Sequence, residues 1–173
     1  MYFLKVLKDE YIFFSYSKKT TKCLLKALVK FLFSPHFSII ILIRLLQKFN
    51  GSLKGRWLNN RIFWKYGVEL PIVPNIGKNF RFAHLPGIVI GDGAIIGNDC
   101  IVYHGVTIGQ SHGLYPRIGN NVLIYPHTQI LGGINIGDNV TILANSVVVK
   151  DIPSNTIVGG IPAKIIKQKK NEK

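Results

Sequence analysis

Three of the five histidines in this chain of 173 residues lie at or beside interruptions of a regular apolar repeat. His84 stands just before a two-residue insertion, His104 lies on the repeat before a longer insertion, and His112 lies on that insertion, Gln110–Arg117. A neutral imidazole can take a proton from a hydroxyl group, so histidine is a common general base. Binding sites in repeat proteins form preferentially where loops leave the regular surface. The two interruptions, each flanked by histidine, therefore predict one shared site.

The other two histidines are interpreted as non-catalytic. His36 follows Pro35 between two predicted helices, which is typical of a structural role. His127 lies inside a regular repeat, which predicts an outward-facing side chain without a part in the chemistry. The sequence contains no CxxC pair and no His/Cys cluster, so it predicts no metal site.

The repeat has a period of six residues. Its apolar anchors are Ile76, Phe82, Ile90, Ile96, Val102, Ile108, Ile118, Ile124, Ile130, Ile136, Ile142 and Val148. The interruptions are a step of eight residues after Phe82 and a step of ten after Ile108. A period of six fits neither an amphipathic helix nor an alternating strand, but it suits a triangular coil of three hexapeptides. The sequence therefore predicts a left-handed parallel β-helix, a mainly β fold whose anchors stack inward.

A helical region is predicted before the repeat. Apolar spacing and helix-breaking residues indicate helices over Lys22–Phe33, Ser38–Phe49 and Leu58–Tyr66, after a short helix or irregular lead-in over residues 1–22. Gly67 is expected to end the last helix, and residues 68–74 to extend into the first coil. The predicted organisation is an N-terminal helical region (residues 1–67), a β-helix domain (68–166) and a basic, solvated tail (167–173).

Positive charge is concentrated before the repeat. The net charge is +14, and residues 1–75 hold 13 Lys or Arg against 3 Asp or Glu, whereas residues 76–173 hold 9 against 5. Because no nucleic-acid-binding module accompanies this charge, we expect no nucleic-acid partner and favour an anionic membrane surface or simple solubility. No signal peptide is expected, and Cys23 and Cys100 lie in unlike regions, which favours a reducing, cytoplasmic location.

The apolar segment Ser38–Phe49 allows two interpretations. Its run of Ile and Leu is shorter than the ~20 residues that cross a bilayer, and Arg44 interrupts it. The segment is either a helix buried in a small bundle or subunit contact, or a helix that rests on the inner membrane. We favour packing, with peripheral membrane contact through the N-terminal region as the alternative.

Six segments of the repeat region resemble the serine acetyltransferase branch of the hexapeptide-repeat acyltransferases. They are Gly87–Gly91, His104–Gly109, Ile118–Val122, Ile130–Ile134, Ala144–Val148 and Gly160–Lys164, and the resemblance runs from about residue 67 to 168. It implies a β-helix enzyme that transfers an acetyl group from acetyl-CoA to a hydroxyl, in a homotrimer with each site between two β-helices. Among short members, the chain is similar to the O-acetyltransferases of capsule, exopolysaccharide and colanic acid pathways.

The resemblance assigns the role of catalytic base to His84. Glu69 occupies the position of the family's partner carboxylate, which would fix the imidazole tautomer and stabilise the imidazolium. A merely solvated Glu69 is the alternative. His104 is expected to bind the acceptor or to act as an alternative base. Direct transfer fits better than a covalent intermediate, because neither cysteine lies in a matched motif.

The resemblance also implies that acetyl-CoA lies along the groove between neighbouring coils. The residues that match this strip are Gly109, Ala144, Asn145, Ala163 and Lys164. Lys164 would meet a CoA phosphate, unless it is simply a solvated charge. Leu143 stands where the family often has glycine, which would narrow the groove.

Two departures from the family pattern bear on the acceptor. Ala83 replaces an Asp before the catalytic histidine, and Leu114 and Tyr115 replace an Arg-His pair. His112 replaces the missing loop histidine only if the insertion folds differently. Free serine would lose partners for its ammonium and carboxylate, and unpaired charge in a closed site is costly. The sequence therefore favours a saccharide hydroxyl, in polysaccharide biosynthesis, over serine.

Two alternatives to saccharide acetylation remain at this stage. One is a serine O-acetyltransferase of cysteine biosynthesis, and the other is a non-catalytic hexapeptide scaffold. Measured release of CoA with serine or with sugars separates the three.

Overall fold

The computed structural model describes residues 2–15 and 23–169. In this part of the chain four helices come first: α1 (Tyr2–Ser15), α2 (Cys23–Phe33), α3 (Pro35–Phe49) and α4 (Leu53–Tyr66). The lead-in predicted over residues 1–22 is thus a helix for most of its length, and residues 1 and 16–22 lie outside the described residues.

Side-chain caps determine where α3 and α4 begin. Ser34 caps α3 by accepting a hydrogen bond from a backbone N–H of the first turn, so Pro35 starts this helix as well as separating it from α2. Ser52 caps α4 in the same way, and the helix therefore begins at Leu53 and not at the predicted Leu58. Gly67, with a φ of 62°, ends α4 as predicted.

Short strands then wind into a parallel β-helix of about five turns. They are β1 (Val68–Glu69), β2 (Asn75–Ile76), β3 (Arg81–Phe82), β4 (Ile88–Ile90), β5 (Ile95–Ile96), β6 (Ile101–Val102), β7 (Thr107–Gly109), β8 (Arg117–Ile118), β9 (Leu123–Ile124), β10 (Gln129–Leu131), β11 (Asn135–Ile136), β12 (Thr141–Ile142), β13 (Val147–Val148), β14 (Thr156–Gly159) and β15 (Lys164–Gln168). The first sheet has the order β1-β4-β7-β10-β13, the second β11-β8-β5-β2 and the third β15-β14-β12-β9-β6-β3. The predicted β-helix with an N-terminal helical region is confirmed.

The twelve anchors fill the core of the β-helix. All are buried, and equivalent anchors pair between turns, as Phe82, Val102 and Ile124 do in the third sheet. A second buried column lies two residues before the anchors and includes Cys100 and Val122. Within the β-helix, each turn therefore depends on the turns above and below it to bury its apolar side chains, which is why the stack must be long to be stable.

Asparagines form the corner between the second and third sheets. Asn98 Oδ1 accepts a hydrogen bond from the backbone N–H of Lys78, and Asn120 Oδ1 accepts one from the N–H of Asn98, both at 2.9 Å. The next residue in each turn has a positive φ, as at Asn79 (57°) and Asn121 (53°). Asn tolerates this left-handed conformation better than most residues, which explains why it is used at these corners.

The two ends of the β-helix are formed by β1 and β15. Val68 and Glu69 are more than a lead-in, because β1 pairs with β4 and is the first strand of the first turn. At the other end, Lys167 and Gln168 are exposed residues of β15, so the strand extends two residues into the predicted basic, solvated tail over residues 167–173. β15 runs antiparallel to β14 and covers a sheet edge that would otherwise expose its backbone N–H and C=O groups. Residues 170–173 lie outside the described part.

α3 packs against the start of the β-helix. Its buried side chains Ile39, Ile40 and Ile43 belong to the same core cluster as the anchors of the first turns. This placement agrees with the packing interpretation of Ser38–Phe49. Among the described residues no single helix is long and apolar enough to cross a membrane, although residues 25–33 of α2 together with α3, bent by 104°, reach the length and composition of a span.

Arg44 of α3 links the helices to the first turn. Its Nε forms an ion pair with Glu10 of α1 at 2.8 Å. Its two terminal nitrogens donate hydrogen bonds to the carbonyls of Ile76 (3.0 Å) and Gly77 (2.7 Å). The helical region and the β-helix are therefore joined by polar contacts as well as by an apolar core.

Candidate active site

One corner of the β-helix, where the third sheet leads into the first, gathers most of the histidines. It consists of residues 83–87, 103–106, 125–128 and 143–146 of successive turns, and we call it the histidine corner. Backbone hydrogen bonds align the turns: the N–H of Gly105 donates to Pro86 O at 3.2 Å, and that of His127 donates to His104 O at 3.1 Å. The His127 ring lies directly over Gly105, where a Cβ atom would overlap it. Because Gly105 has no side chain, the two turns can approach each other closely at this point.

Four histidine rings follow one another along this corner and form what we call the histidine row. They are His36, His84, His104 and His127. Their ring centroids are 6.4 Å apart from His36 to His84, 5.9 Å from His84 to His104, and 5.0 Å from His104 to His127. The structure therefore brings two of the predicted site residues, His84 and His104, side by side.

The other two members of the row, His36 and His127, are not predicted from the sequence to take part in the chemistry. The sequence does contain a signal for neighbours along the corner, because His84 and His104 are twenty residues apart, which is one turn of eighteen plus the two-residue insertion. The same turn length, with the longer insertion added, also places His127 close to His104. His36 is different, since it lies in the first turn of α3, and only the packing of that helix on the β-helix brings it to His84.

A pair of tyrosines lies beside the histidine row. The rings of Tyr103 and Tyr125 stack with centroids 5.1 Å apart and planes 19° apart, and the His84 ring is 5.6 Å from Tyr103. Ala83 occupies the equivalent position one turn earlier, because its N–H donates to Val102 O in the same ladder. The tyrosine stack therefore ends at Tyr103, because Ala83 has no ring to continue it.

Two rings of the histidine row, those of His84 and His104, have no polar partner among the described residues. His84 is exposed and His104 half-buried, and no described residue forms a hydrogen bond or ion pair with either ring. Among the described residues no group of three or more His, Cys, Asp or Glu side chains could hold a metal ion. The imidazole nitrogens of His84 are therefore free to accept a proton from a hydroxyl group placed at this corner.

Glu69 lies on β1, beside the strand that follows His84. It pairs with Val89 of β4 across the first sheet, and its side chain is exposed. Within the described chain no hydrogen bond or ion pair joins Glu69 to His84. The proposed carboxylate–imidazole pair thus stays a prediction.

His112 lies away from the histidine row. The insertion that carries it leaves the first sheet after Gly109, at the corner that leads to the second sheet, and closes through a bridge between Ser111 and Leu114. His112 is exposed there, with Nδ1 3.0 Å from Ser111 Oγ. The Tyr115 ring turns back over Gly91 of the previous turn. This insertion therefore does not bring His112 to His84 within one chain.

The residues predicted to bind acetyl-CoA fall into two groups. Ala144 and Asn145 lie on the histidine corner, and the N–H of Ala163 donates to Val147 O at 2.8 Å, which places the end of the chain next to them. Lys164 follows as the exposed first residue of β15. Gly109 lies apart from this group, at the far end of β7.

The repeat and much of the chain are similar to known proteins. Residues 115–150 match the family described as "Bacterial transferase hexapeptide (six repeats)". The chain is 42% identical over 104 residues to the serine acetyltransferase of Synechococcus elongatus, an overlap of 58% of this chain and 43% of that protein. It spans about half, or less, of the length of the curated relatives that it matches.

Solved structures show the same likeness along nearly the whole chain. The serine acetyltransferase of Neisseria gonorrhoeae is matched with a TM-score of 0.77 and 28% identity, over 98% of this chain and 66% of that one. Its complex with serine is matched with a TM-score of 0.74 and 29% identity, over 96% and 68%. The chain thus carries the hexapeptide repeat of bacterial transferases and is similar to serine acetyltransferases in both its helices and its β-helix.

Proposed function

We propose that this protein is an acetyl-CoA-dependent O-acetyltransferase whose catalytic base is His84. The observation that carries the proposal is the exposed His84 ring next to His104, on a corner of a β-helix that is similar to serine acetyltransferases. The scaffold alternative does not account for unpaired imidazoles gathered at the interruption of the repeat.

The reaction that fits this corner is direct acyl transfer. The acceptor oxygen attacks the thioester carbonyl carbon while His84 removes the hydroxyl proton. The C–O bond forms, the C–S bond breaks, and His84 returns the proton to the sulfur of CoA. Glu69, if it turns toward His84 in the complex, would orient the imidazole and stabilise its charged form. His104, whose ring centroid is 5.9 Å from that of His84, would contact the acceptor.

For the acceptor, we propose serine. The relatives support this choice, since they are named serine acetyltransferases and one was solved in complex with serine. The sequence-based preference for a saccharide finds no support among them.

A saccharide hydroxyl is the second candidate, because of the side chains next to His84. Ala83 provides no carboxylate for a substrate ammonium group, and the insertion provides Leu114 and Tyr115 in place of Arg and His. The stacked Tyr103 and Tyr125 rings offer a flat apolar face, and such faces pack well against the C–H face of a sugar ring.

For acetyl-CoA, we propose a path along the histidine corner toward the end of the chain. Ala144, Asn145 and Ala163 lie on this path, and the exposed Lys164 would pair with a phosphate.

The test is CoA release by the purified protein with serine and with a panel of sugars. We expect release with serine, and we expect His84→Ala to lower turnover by about 10²–10⁴-fold. His112→Ala is the matched control, because the same change on the exposed insertion removes no group from the histidine corner. Equal turnover of the wild-type and His84→Ala proteins would refute the role of His84, and release with a sugar but not with serine would select the second candidate.

A further inference from the structure

Large apolar side chains are exposed together on α2 and α4. On α4 the exposed fractions are 85% for Leu53, 64% for Trp57 and 83% for Trp64, and on α2 they are 64% for Leu32 and 81% for Phe33. We call these five residues the apolar face. Side chains of this size seldom cluster on a soluble surface without a partner.

Shallow grooves connect the two helices of the apolar face. A surface groove of about 610 Å³ lies between α3 and α4. Leu42, Leu45 and Phe49 line one side of it, and Leu53, Trp57 and Leu58 line the other. A second groove, of about 240 Å³, shares Leu42, Trp57 and Leu58 with the first and extends to Leu32 of α2. Leu32, Leu53 and Trp57 therefore belong to one continuous apolar surface, and the exposed Phe33 and Trp64 lie on the same two helices.

Basic side chains surround this surface. Lys54, Arg56, Arg61 and Lys65 of α4 are all exposed, and the Arg61 guanidinium lies 5.5 Å from the centre of the Trp57 ring. The sequence from residue 11 to residue 68 contains eleven Lys or Arg and no Asp or Glu. The apolar face thus belongs to a segment in which every Lys, Arg, Asp or Glu position is Lys or Arg.

We propose that the apolar face binds the surface of an anionic phospholipid bilayer. Helices that lie in a membrane interface combine exposed Trp, Phe and Leu with Lys and Arg, and Trp prefers the level of the lipid headgroups. Anionic headgroups attract the basic residues, whereas the same face of a second copy of this chain would bring like charges together. The membrane contact is assigned to α2 and α4, because α3 buries Ile39, Ile40 and Ile43 in the core and carries none of the five exposed side chains of the apolar face.

Tryptophan fluorescence reports on this contact directly. The chain has two tryptophans, and both belong to the apolar face. With vesicles of phosphatidylcholine and phosphatidylglycerol we expect a blue shift of the emission, protection from acrylamide quenching, and sedimentation of the protein with the vesicles. Pure phosphatidylcholine vesicles and high salt should weaken all three effects. Unchanged emission and no sedimentation with the anionic vesicles would refute the proposal.

Charge-reversal variants separate this surface from the general positive charge of the protein. Lys54→Glu with Lys65→Glu should reduce the affinity for anionic vesicles at least about tenfold. Lys78→Glu with Lys150→Glu makes the same change at exposed positions of the β-helix and should leave the affinity unchanged. An equal loss in both double variants would show unspecific charge attraction and would contradict the assigned surface.

Two further measurements, acrylamide quenching without vesicles and CoA release, distinguish membrane binding from self-association and from a loss of activity. If a second copy covers the apolar face, the tryptophans are already protected from acrylamide without vesicles, and that outcome overturns the proposal. Release of CoA with a soluble acceptor should be the same in the Lys54→Glu, Lys65→Glu protein, because these residues lie outside the histidine corner. The proposal of membrane binding and the proposal of acetyl transfer are thus tested independently.

Discussion

At the scale of single residues, Cys100 shows how strongly the β-helix core excludes water. Its side chain is fully buried in the second column, with Sγ 3.2 Å from the carbonyl oxygen of Gly119. Burial raises the pKa of the Cys100 thiol from 9.0 to about 11, and the nearby carboxylates of Asp99 and Asp138 act in the same direction. The thiol is therefore neutral at physiological pH and unreactive while the protein is folded.

This raised pKa predicts a loss of stability in alkaline solution. Folding favours the protonated thiol, so the contribution is complete below pH 9 and is lost as the pH rises toward about 11. A shift of this size corresponds to about 2–3 kcal/mol of unfolding free energy. Cys100→Val keeps an apolar side chain in the column and removes the titration. Urea unfolding of both proteins at about pH 7, 9 and 11 should show the wild type losing stability relative to Cys100→Val, and a constant difference would contradict the prediction.

Residues that follow the repeat could be predicted from the sequence, and residues brought in by packing could not. The anchors were identifiable because a six-residue period assigns each of them a place inside the coil. His84 and His104 were identifiable because they flank the interruptions. His36 belongs to a helix, and its approach to His84 depends on how α3 lies on the first turns, which no local pattern encodes.

At the scale of elements, the contact between α3 and the first turn depends on Arg44. Replacing Arg44 with Leu would leave Glu10 without its ion pair and the Gly77 carbonyl without its donor, while the Ile76 carbonyl would keep only the hydrogen bond from Gln47. Both side chains of the pair are largely buried, and breaking such a pair typically costs about 3–5 kcal/mol. We expect a loss of unfolding free energy in this range, measured by urea denaturation.

A control for this prediction lies on the same helix. Lys48 is exposed four residues further along α3, and its Nζ lies 4.1 Å from the centre of the Tyr2 ring. Lys48→Leu makes a comparable change without unpairing a buried group and should cost less than about 1 kcal/mol. Similar losses in the two variants would mean that Arg44 acts only as a surface charge.

Elements were predictable where a local signal marks them. The caps Ser34 and Ser52 are such signals, and reading Ser52 as a cap would have placed the start of α4 correctly. β15 carries no repeat, since it runs antiparallel to the last parallel strand, and its residues 167 and 168 read as part of a charged tail. Its formation depends on an open sheet edge that exists only after the β-helix has formed.

At the scale of the whole molecule, the histidine corner is open to solvent in the single chain. His84 is exposed, and the described cavities, which lie among the helices, include none of the histidines among their lining residues. Acyl transfer to a hydroxyl instead of to water requires a site that excludes solvent. A neighbouring copy that covers the corner would provide this, and we propose the homotrimer that the family resemblance implies.

A homotrimer predicts that activity depends on assembly. Light scattering should give three times the chain mass of 19.4 kDa. On dilution, the specific activity should fall in parallel with the fraction of trimer, because each chain alone leaves His84 open to water. The scattering mass and the rate of CoA release, measured on the same dilution series, test this relation.

The apolar face provides the control, since the Lys54→Glu, Lys65→Glu protein should assemble and turn over like the wild type. Full specific activity in a sample that scatters as a monomer would contradict the trimer and would require α1 to α4 or the insertion of the same chain to close the site.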